Sequence, residues 1–324
     1  MEPTLRQLRY FVALAETQHF GQAALRCHVT QPALSMQIKE LEEALGAPLI
    51  ERSRRGALLT PAGMEVAHRA RSILQSVRDL ADVARQRASV LSGPLRVGVI
   101  PTIGPYLLPS VLPRLHDAFP KLQLSLRETQ TVVLVRELLA GSLDLLILAL
   151  PLNEAEIEEL PLFDDVFALA LPTQHPLGAC ASVAQADLSG EHLLLLEEGH
   201  CLRDQTLAVG QAAGASELDD FRASSLATVV QMVANGYGCT ILPELAVPVE
   251  VGDRQGIHVV PFKRPPPVRT VGLAWRRTSP RRGEFTAFGE VIVEALGKSP
   301  ITPQSVMMPL SARSCRNART SPAT

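Results

Sequence analysis

Residues 197–205, EEGHCLRDQ, place a cysteine directly after a histidine, with an arginine and an aspartate two and three positions beyond the cysteine. A thiol is a strong nucleophile only as its anion, which nearby positive charge, hydrogen-bond donors or the N-terminus of a helix stabilise. Cys201 stands between the apolar run HLLLLE and a stretch with helical periodicity starting near Leu202, so the pattern predicts backbone N–H groups at the sulfur. His200 and Arg203 would add donors or charge, whereas Asp204 would either orient Arg203 or, facing the sulfur, oppose ionisation. The competing reading is packing, because free cysteine is among the most buried residue types. Two hydroxyls extend the candidate site. Thr102 comes just after LRVGVI and Thr131 after LQLSLRE, both at carboxyl ends of predicted parallel strands, where the clefts of α/β folds form. Helix capping would suit the same two threonines.

The elements that must position these groups begin at residue 94. LRVGVI, a helix near 106–119, LQLSLRE, a helix near 132–140 and LDLLILAL alternate in order. FALALP, HLLLLE, a helix from about 203, FRASS, a helix near 226–235, CTILP, IHVVPF, TVGLAWR and a last helix near 282–296 follow. Apolar strands interleaved with amphipathic helices predict a parallel sheet covered on both faces. We divide it into two lobes around a cleft, lobe I at about 93–164 with 268–298 and lobe II at about 165–267.

Ahead of the lobes, residues 5–46 read as three helices, with apolar stripes at Leu5, Leu8, Phe11, Val12 and Ala15, then Ala23 and Ala24, then Leu34, Ile38, Leu41 and Leu45. Gly21 opens the second, and HVTQP is a tight connection with Thr30 as N-cap and Pro32 in the first turn of the third. Two helices joined so closely suit a helix-turn-helix, which lays its second helix in the major groove of DNA. There Gln31, Ser35 and Gln37 could exchange hydrogen bonds with bases or phosphate, Pro32 could meet a thymine methyl, and Lys39 could reach phosphate. PLIERSRRGALLTPAG reads as two short strands around a basic tip, a wing on which Arg52, Arg54 and Arg55 would face the DNA backbone. This DNA-binding unit spans 1–63.

From Pro61 to Leu91 no proline or glycine follows Gly63, and Val66, Ala70, Ile73, Val77, Leu80, Ala84 and Leu91 form a seam broken only at Arg87. That is a linker helix, assigned to 64–92, with a face that wants a partner helix, and so at least a homodimer is expected. SGP (92–94) ends it.

With 46% hydrophobic residues, 20% charged residues and a net charge of −2, the 324-residue chain is a multidomain globular protein with no overall attraction for nucleic acid. Its charge is uneven: residues 1–92 carry a net +3 and the remainder a net −5. Five cysteines without C-x-x-C spacing, no secretory leader and no apolar run long enough to cross a bilayer predict a cytoplasmic protein without a membrane segment. No metal and no cofactor are called for. The tail 299–324, rich in Ser, Thr, Pro and Arg without periodicity, reads as disordered.

The run from Leu5 to Gly63, with A-A…C-H-V-T-Q-P-A-L-S…I-K-E-L-E…L-G…L-I-E-R, resembles the winged helix-turn-helix of LysR-type transcriptional regulators. The resemblance implies a linker helix that pairs subunits, commonly up to a homotetramer. It also implies a two-lobed effector domain built like periplasmic binding proteins, and partners in double-stranded DNA and RNA polymerase. SGPLRVGVIPTIGPYLLP, FPKL, DLLILAL, EEGHCLRDQ, ASSL and ILPELAVP are similar to the hydrogen peroxide-sensing branch of that family. On that resemblance Cys201 is the peroxide-reactive thiol, Thr102, Thr131 and His200 position peroxide and donate protons, and the genes controlled answer oxidative stress.

The branch's usual second cysteine, nine residues after the first and joined to it by a disulfide, is missing, because Gly210 occupies that position. Cys27, Cys239 and Cys315 are poor substitutes, and nothing in the sequence fixes the distance from Cys180 to Cys201. Oxidation of Cys201 is expected to stop at sulfenic acid or a mixed disulfide with a small thiol, with pairing to Cys180 or to another chain as the alternative. Two other readings stay open. One is a LysR-type regulator of a small organic ligand in the same cleft. The other is a thiol peroxidase, disfavoured because adjacent His200 and Cys201 aim apart and no third orienting group is evident. An enzyme is not expected.

Overall fold

The computed structural model describes residues 2–53, 56–85 and 91–298. Arg54 and Arg55, residues 86–90 of the expected linker helix, and the tail from 299 with Cys315 lie outside the described residues, as do the side chains of Arg52 and Ala84.

The N-terminal unit packs α1 (Leu5–Thr17), α2 (Phe20–Arg26) and α3 (Gln31–Leu45) around Phe11, Leu14, Leu34, Ile38 and Leu41. The first two starts have a local cause. Thr4 and Gln7 form a reciprocal capping box on α1. On α2 the Nδ1 of His19 accepts from the N–H groups of Gly21 (3.1 Å) and Gln22 (3.3 Å), so this helix opens at Phe20, ahead of the expected Gly21. Thr30 stands at the N-cap of α3 with extended backbone but makes no capping bond through its side chain. The hairpin of β1 (Ile50–Ser53) and β2 (Gly56–Leu59) follows, paired from Ile50↔Leu59 to Ser53↔Gly56. Helix α4 (Pro61–Arg85) begins three residues before the expected linker boundary, with Pro61 in its first turn.

Lobe I is built from β3 (Gly93–Val99), α5 (Gly104–Ala118), β4 (Leu122–Glu128), α6 (Thr131–Leu139) and β5 (Leu145–Leu150). The chain then enters β6 (Ile157–Pro172), a strand of 16 residues. Lobe II follows as β7 (His192–Leu196), α7 (Cys201–Ala213), β8 (Ser216–Ala223), α8 (Leu226–Ala234), β9 (Thr240–Pro243), α9 (Val247–Glu250) and β10 (Ile257–Pro261). The chain returns through β11 (Val268–Arg276) and ends lobe I with α10 (Arg282–Ala295).

The strands run in the order β10-β6-β11-β5-β3-β4, with β9 also on β6. The expected all-parallel sheet is corrected here. β3 pairs in parallel with β4 and β5, and β7 with β8, but β11 runs antiparallel to both β5 and β6, and β6 runs antiparallel to β9 and β10. The cause is connectivity: β6 carries the chain out of lobe I and β11 carries it back, so the two must oppose each other. Up to Val166 β6 pairs with β11, and from Phe167 it pairs with β9 and β10, so a single strand serves both lobes.

Lobe I packs around Phe163, Trp275, Phe285 and Phe288, and lobe II around Phe167, Leu194, Val230 and Leu242. Two side chains cross over. Tyr106, from α5 of lobe I, is buried in the lobe II core, where its hydroxyl donates to Glu250 Oε1 of α9 at 2.7 Å, and Cys201, from α7 of lobe II, packs against the lobe I core.

Candidate functional site

β7 ends at Leu196, four residues turn the chain, and Cys201 becomes the first residue of α7 with His200 as N-cap. The turn needs Gly199, whose φ of +93° is a left-handed conformation and whose missing side chain makes room for Gln130; an added Cβ would lie 2.5 Å from Gln130 Oε1. Gln130, the N-cap of α6 in lobe I, donates its Nε2 hydrogen to the carbonyl of Glu198 at 3.3 Å. The cysteine loop is thus tied across the cleft.

Cys201 is half-buried. Burial pushes its thiol above the ordinary range, and three groups pull the other way: the Arg269 guanidinium, the Thr131 hydroxyl and the Leu202 N–H. Asp204 adds to the rise. The expected net stabilisation of the anion is therefore corrected. The stabilising groups are in place, but the enclosure that brings them near the sulfur costs the anion more in lost hydration than they return.

The cation near the sulfur also differs from expectation. Arg203 donates through Nη2 to both carboxylate oxygens of Glu217, at 2.8 and 2.9 Å, and its charge is used inside lobe II. Arg269 takes that place. It is fully buried on β11 opposite Asp165 of β6, to whose Oδ2 it donates through Nε (3.0 Å) and Nη2 (2.9 Å). It further donates to Thr102 Oγ1 (3.1 Å) and to the Thr102 carbonyl (2.9 Å). The other oxygen of Asp165 accepts from Leu245 N–H in lobe II at 3.0 Å. One buried ion pair at the strand crossing therefore holds Thr102 of lobe I and the segment before α9, while biasing Cys201.

Thr102 accepts from Arg269 with its oxygen, which leaves its hydroxyl hydrogen available to a guest. Thr131 Oγ1 is buried without a hydrogen-bond partner at ordinary distance, yet stands close enough to favour the Cys201 anion. His200 is buried, with Nε2 3.8 Å from Glu197 Oε1. The structure thus groups Cys201, Thr131 and Arg269 with Thr102, buries His200 at the N-cap of α7 near Glu197, and turns Arg203 to Glu217.

The sequence reading missed Arg269, Asp165 and Gln130. VRTVGLAWR carries both Arg269 and Arg276, and FDDVFALALP both Asp164 and Asp165, so the sequence marks charges on these strands but not which of them pair in the core. Nothing local flags Gln130.

Cys27, Cys180, Cys201 and Cys239 are all unbridged. Cys239 lies in the lobe II core, donates to the His192 carbonyl at 3.5 Å and has its thiol pushed up to about 12, chiefly by burial. Cys180 is exposed, after a short 3-10 turn. Gly210 lies on the buried face of α7, and a Cβ there would run into Leu193 Cδ1 of β7. A side chain at this position would require Leu193 to move.

On α3 the outward face carries Gln31, Pro32 and Lys39, with Ser35 and Gln37 partly exposed. Gln37 Nε2 donates to Glu40 at 2.7 Å, and Lys39 pairs with Glu43 at 3.6 Å. Met36, 57% exposed on the same helix, was not singled out, although it falls off the Leu34–Ile38–Leu41 stripe. Among the described residues no cluster of three or more His, Cys, Asp or Glu could hold a metal, and no helix is long and apolar enough to cross a membrane.

Residues 5–64 match the family described as bacterial regulatory helix-turn-helix protein, lysR family, and residues 88–297 match the LysR substrate binding domain. The chain is 48% identical over 288 residues to the DNA-binding transcriptional dual regulator OxyR of Escherichia coli, covering 89% of this chain and 94% of that one. Among solved structures it resembles full-length OxyR from Pseudomonas aeruginosa in a cysteine-to-aspartate variant (TM-score 0.76, 41% identity, 90% of this chain and 95% of that one). It also resembles a hydrogen peroxide-bound OxyR variant from Corynebacterium glutamicum (TM-score 0.65, 37% identity, 92% and 94%).

Proposed function

The chain belongs to the lysR family of bacterial regulatory helix-turn-helix proteins, and from that premise we propose that it is an OxyR-like transcriptional regulator that senses hydrogen peroxide and controls oxidative-stress genes. The observation that carries the peroxide reading is the convergence of Arg269, Thr131 and the Leu202 N–H on the sulfur of Cys201.

In this reading Cys201 Sγ, as the thiolate, attacks one oxygen of hydrogen peroxide. An S–O bond forms while the O–O bond breaks, sulfur gives up two electrons, and the departing hydroxide takes up the proton the thiol had released and leaves as water. Thr102 and Thr131, with His200, hold the peroxide, and Arg269 rather than Arg203 supplies the positive charge; Asp204 opposes it. The product is a sulfenic acid. With glycine at 210 it has no neighbouring sulfur in α7, so it persists or is capped by a small thiol. The added oxygen enters a site packed against the lobe I core, and the displaced 197–200 loop changes the set of the lobes.

The DNA-binding domain (1–63), linker helix (64–92) and two-lobed sensor (93–298) act as a homodimer or homotetramer on double-stranded DNA. Contacts run through Thr30, Gln31, Pro32, Ser35, Gln37 and Lys39 and through the wing arginines Arg52, Arg54 and Arg55. The protein works in the cytoplasm with RNA polymerase and is a regulator, oxidised once per signal, rather than a turnover enzyme.

The test is peroxide treatment of the full-length protein with peptide mass mapping and DNA footprinting in both states. Cys201 should gain one oxygen or one small-thiol adduct, with a footprint that shifts and a shift that Cys201→Ser abolishes. A peptide cross-linked internally through Cys201 would sink the one-cysteine mechanism, and a peroxide response intact in Cys201→Ser would sink the peroxide reading itself.

A further inference from the structure

Between α1 and lobe I lies a cavity of about 570 Å³ that the peroxide chemistry does not use. Its walls bring together Arg6 and Arg9 of α1, Arg26 at the end of α2, Arg71 and Arg78 of α4, and Arg96 of β3. Only one carboxylate, Glu16, lines the same space.

That carboxylate is shared: Glu16 accepts from Arg26 at 2.6 Å and stands 3.8 Å from Arg71. Arg96 is neutralised from behind by Asp144, through Nε at 3.0 Å and Nη2 at 2.5 Å. Among the described residues Arg78 has no carboxylate at hydrogen-bond distance; it donates to Gln75 Oε1 (2.9 Å) and to the Gly141 carbonyl (3.1 Å). Burial, more than the neighbouring Arg96, holds its guanidinium below the usual range, while Asp144 and Asp79 pull the other way. Neither Arg6 nor Arg9 has a carboxylate partner among the described residues.

The cleft is also built rather than left over. At Gly141, with φ +73°, the loop after α6 comes so close to α4 that an added Cβ would strike Gln75 and Arg78. A side chain there would be strained at this φ and would push the ends of Gln75 and Arg78 aside, so glycine favours the close approach of lobe I to the helix that carries Arg71 and Arg78.

We propose that this cleft is a binding site for a small multivalent anion, one carrying two or more phosphate or carboxylate groups. The volume is that of a metabolite site, and planar guanidinium groups arriving from several directions match such groups in geometry as well as charge. A bound anion would bridge α1 of the DNA-binding domain to β3 of lobe I, and so couple a second signal to the placement of α3. The site stands whether or not Cys201 senses peroxide.

The experiment is calorimetric titration of full-length, reduced, DNA-free protein with inorganic pyrophosphate and, separately, citrate at constant chloride. One saturable site is expected for at least one of the two. Its Kd should rise at least tenfold in Arg6→Ala/Arg9→Ala, whose exposed side chains leave the thermal transition unchanged, and should not move in Arg282→Ala, a surface arginine paired with Glu158 at 3.0 Å. Absence of saturable binding of both probes, an affinity unchanged in the double variant, or equal loss in Arg282→Ala would overturn the proposal. So would displacement of pyrophosphate by a random-sequence DNA duplex whose own affinity falls in parallel in the double variant, which would make these arginines DNA-backbone contacts.

Discussion

Thr131 and Thr102 sit on the same cleft, but their side chains carry different obligations. Thr131 Oγ1 has no partner to lose, so Thr131→Val should leave stability within about 0.5 kcal/mol. A hydrogen bond to a charged group is worth about 1.5–3 kcal/mol, so the same change should slow peroxide oxidation of Cys201 by roughly ten- to a hundredfold in a stopped-flow sulfenate-trapping assay. Thr102→Val strips an acceptor from buried Arg269 and should cost about 1–3 kcal/mol in urea unfolding. Equal behaviour of the two variants would show that Thr131 does not serve the sulfur. Gly210→Cys makes the opposite kind of test. Its side chain must displace buried Leu193, so a loss of about 1–3 kcal/mol is expected rather than a restored disulfide. A bridge between Cys201 and the introduced thiol, formed at unchanged stability, would contradict this.

Among the elements, α4 leaves the clearest unfinished business. Ile73 is 47% exposed and Leu80 is 72% exposed on a helix whose Ala67, Ala70 and Leu74 are already committed to the DNA-binding core. Leu80→Glu should therefore shift the protein toward monomer in sedimentation velocity without lowering its thermal midpoint; an unchanged oligomer would place the subunit contact elsewhere. The expected seam is only partly an outward face: Val66 and Ala70 pack in the DNA-binding core and Leu91 in the core of lobe I, which leaves Ile73 and Leu80 exposed. The Cys201 loop was legible only in part: the run HCLRD marks the cysteine, but Arg203, two residues on, turns to Glu217. Arg269 was not, because it reaches the sulfur from β11, through a pairing with Asp165 that exists only once two strands more than a hundred residues apart lie side by side. Likewise FALALP announced the second half of β6, while IEELPLFDD, charged and interrupted by Pro161, hid the first half.

For the molecule as a whole, the buried ionisable groups set an alkaline limit. Cys239, pushed up to about 12, and Cys201, also raised, release their protons at higher pH in the fold than in the unfolded chain, and Tyr106 is raised by burial and by its bond to Glu250. In the unfolded chain thiols ionise near 8.5 and tyrosine near 10. Below about pH 8.5 their contribution is fully present; as pH rises toward the folded values the unfolded state sheds protons first, and stability falls. Urea midpoints should drop between pH 8 and pH 11, and Cys239→Val should flatten part of that drop; a midpoint flat to pH 11 would contradict the burial assigned to these groups.

The passage of β6 out of lobe I and of β11 back into it also sets an order of events during synthesis. β11 fills the place between β5 and β6, but more than a hundred residues separate Leu150 from Val268, and all of lobe II lies between. At translation rates of about 5–20 residues per second, the apolar edge of β5 waits roughly 6–24 s for its neighbour. Lobe II, complete by Pro261, can close first; the lobe begun earliest is finished last, and its half-made sheet is the surface most in need of a chaperone.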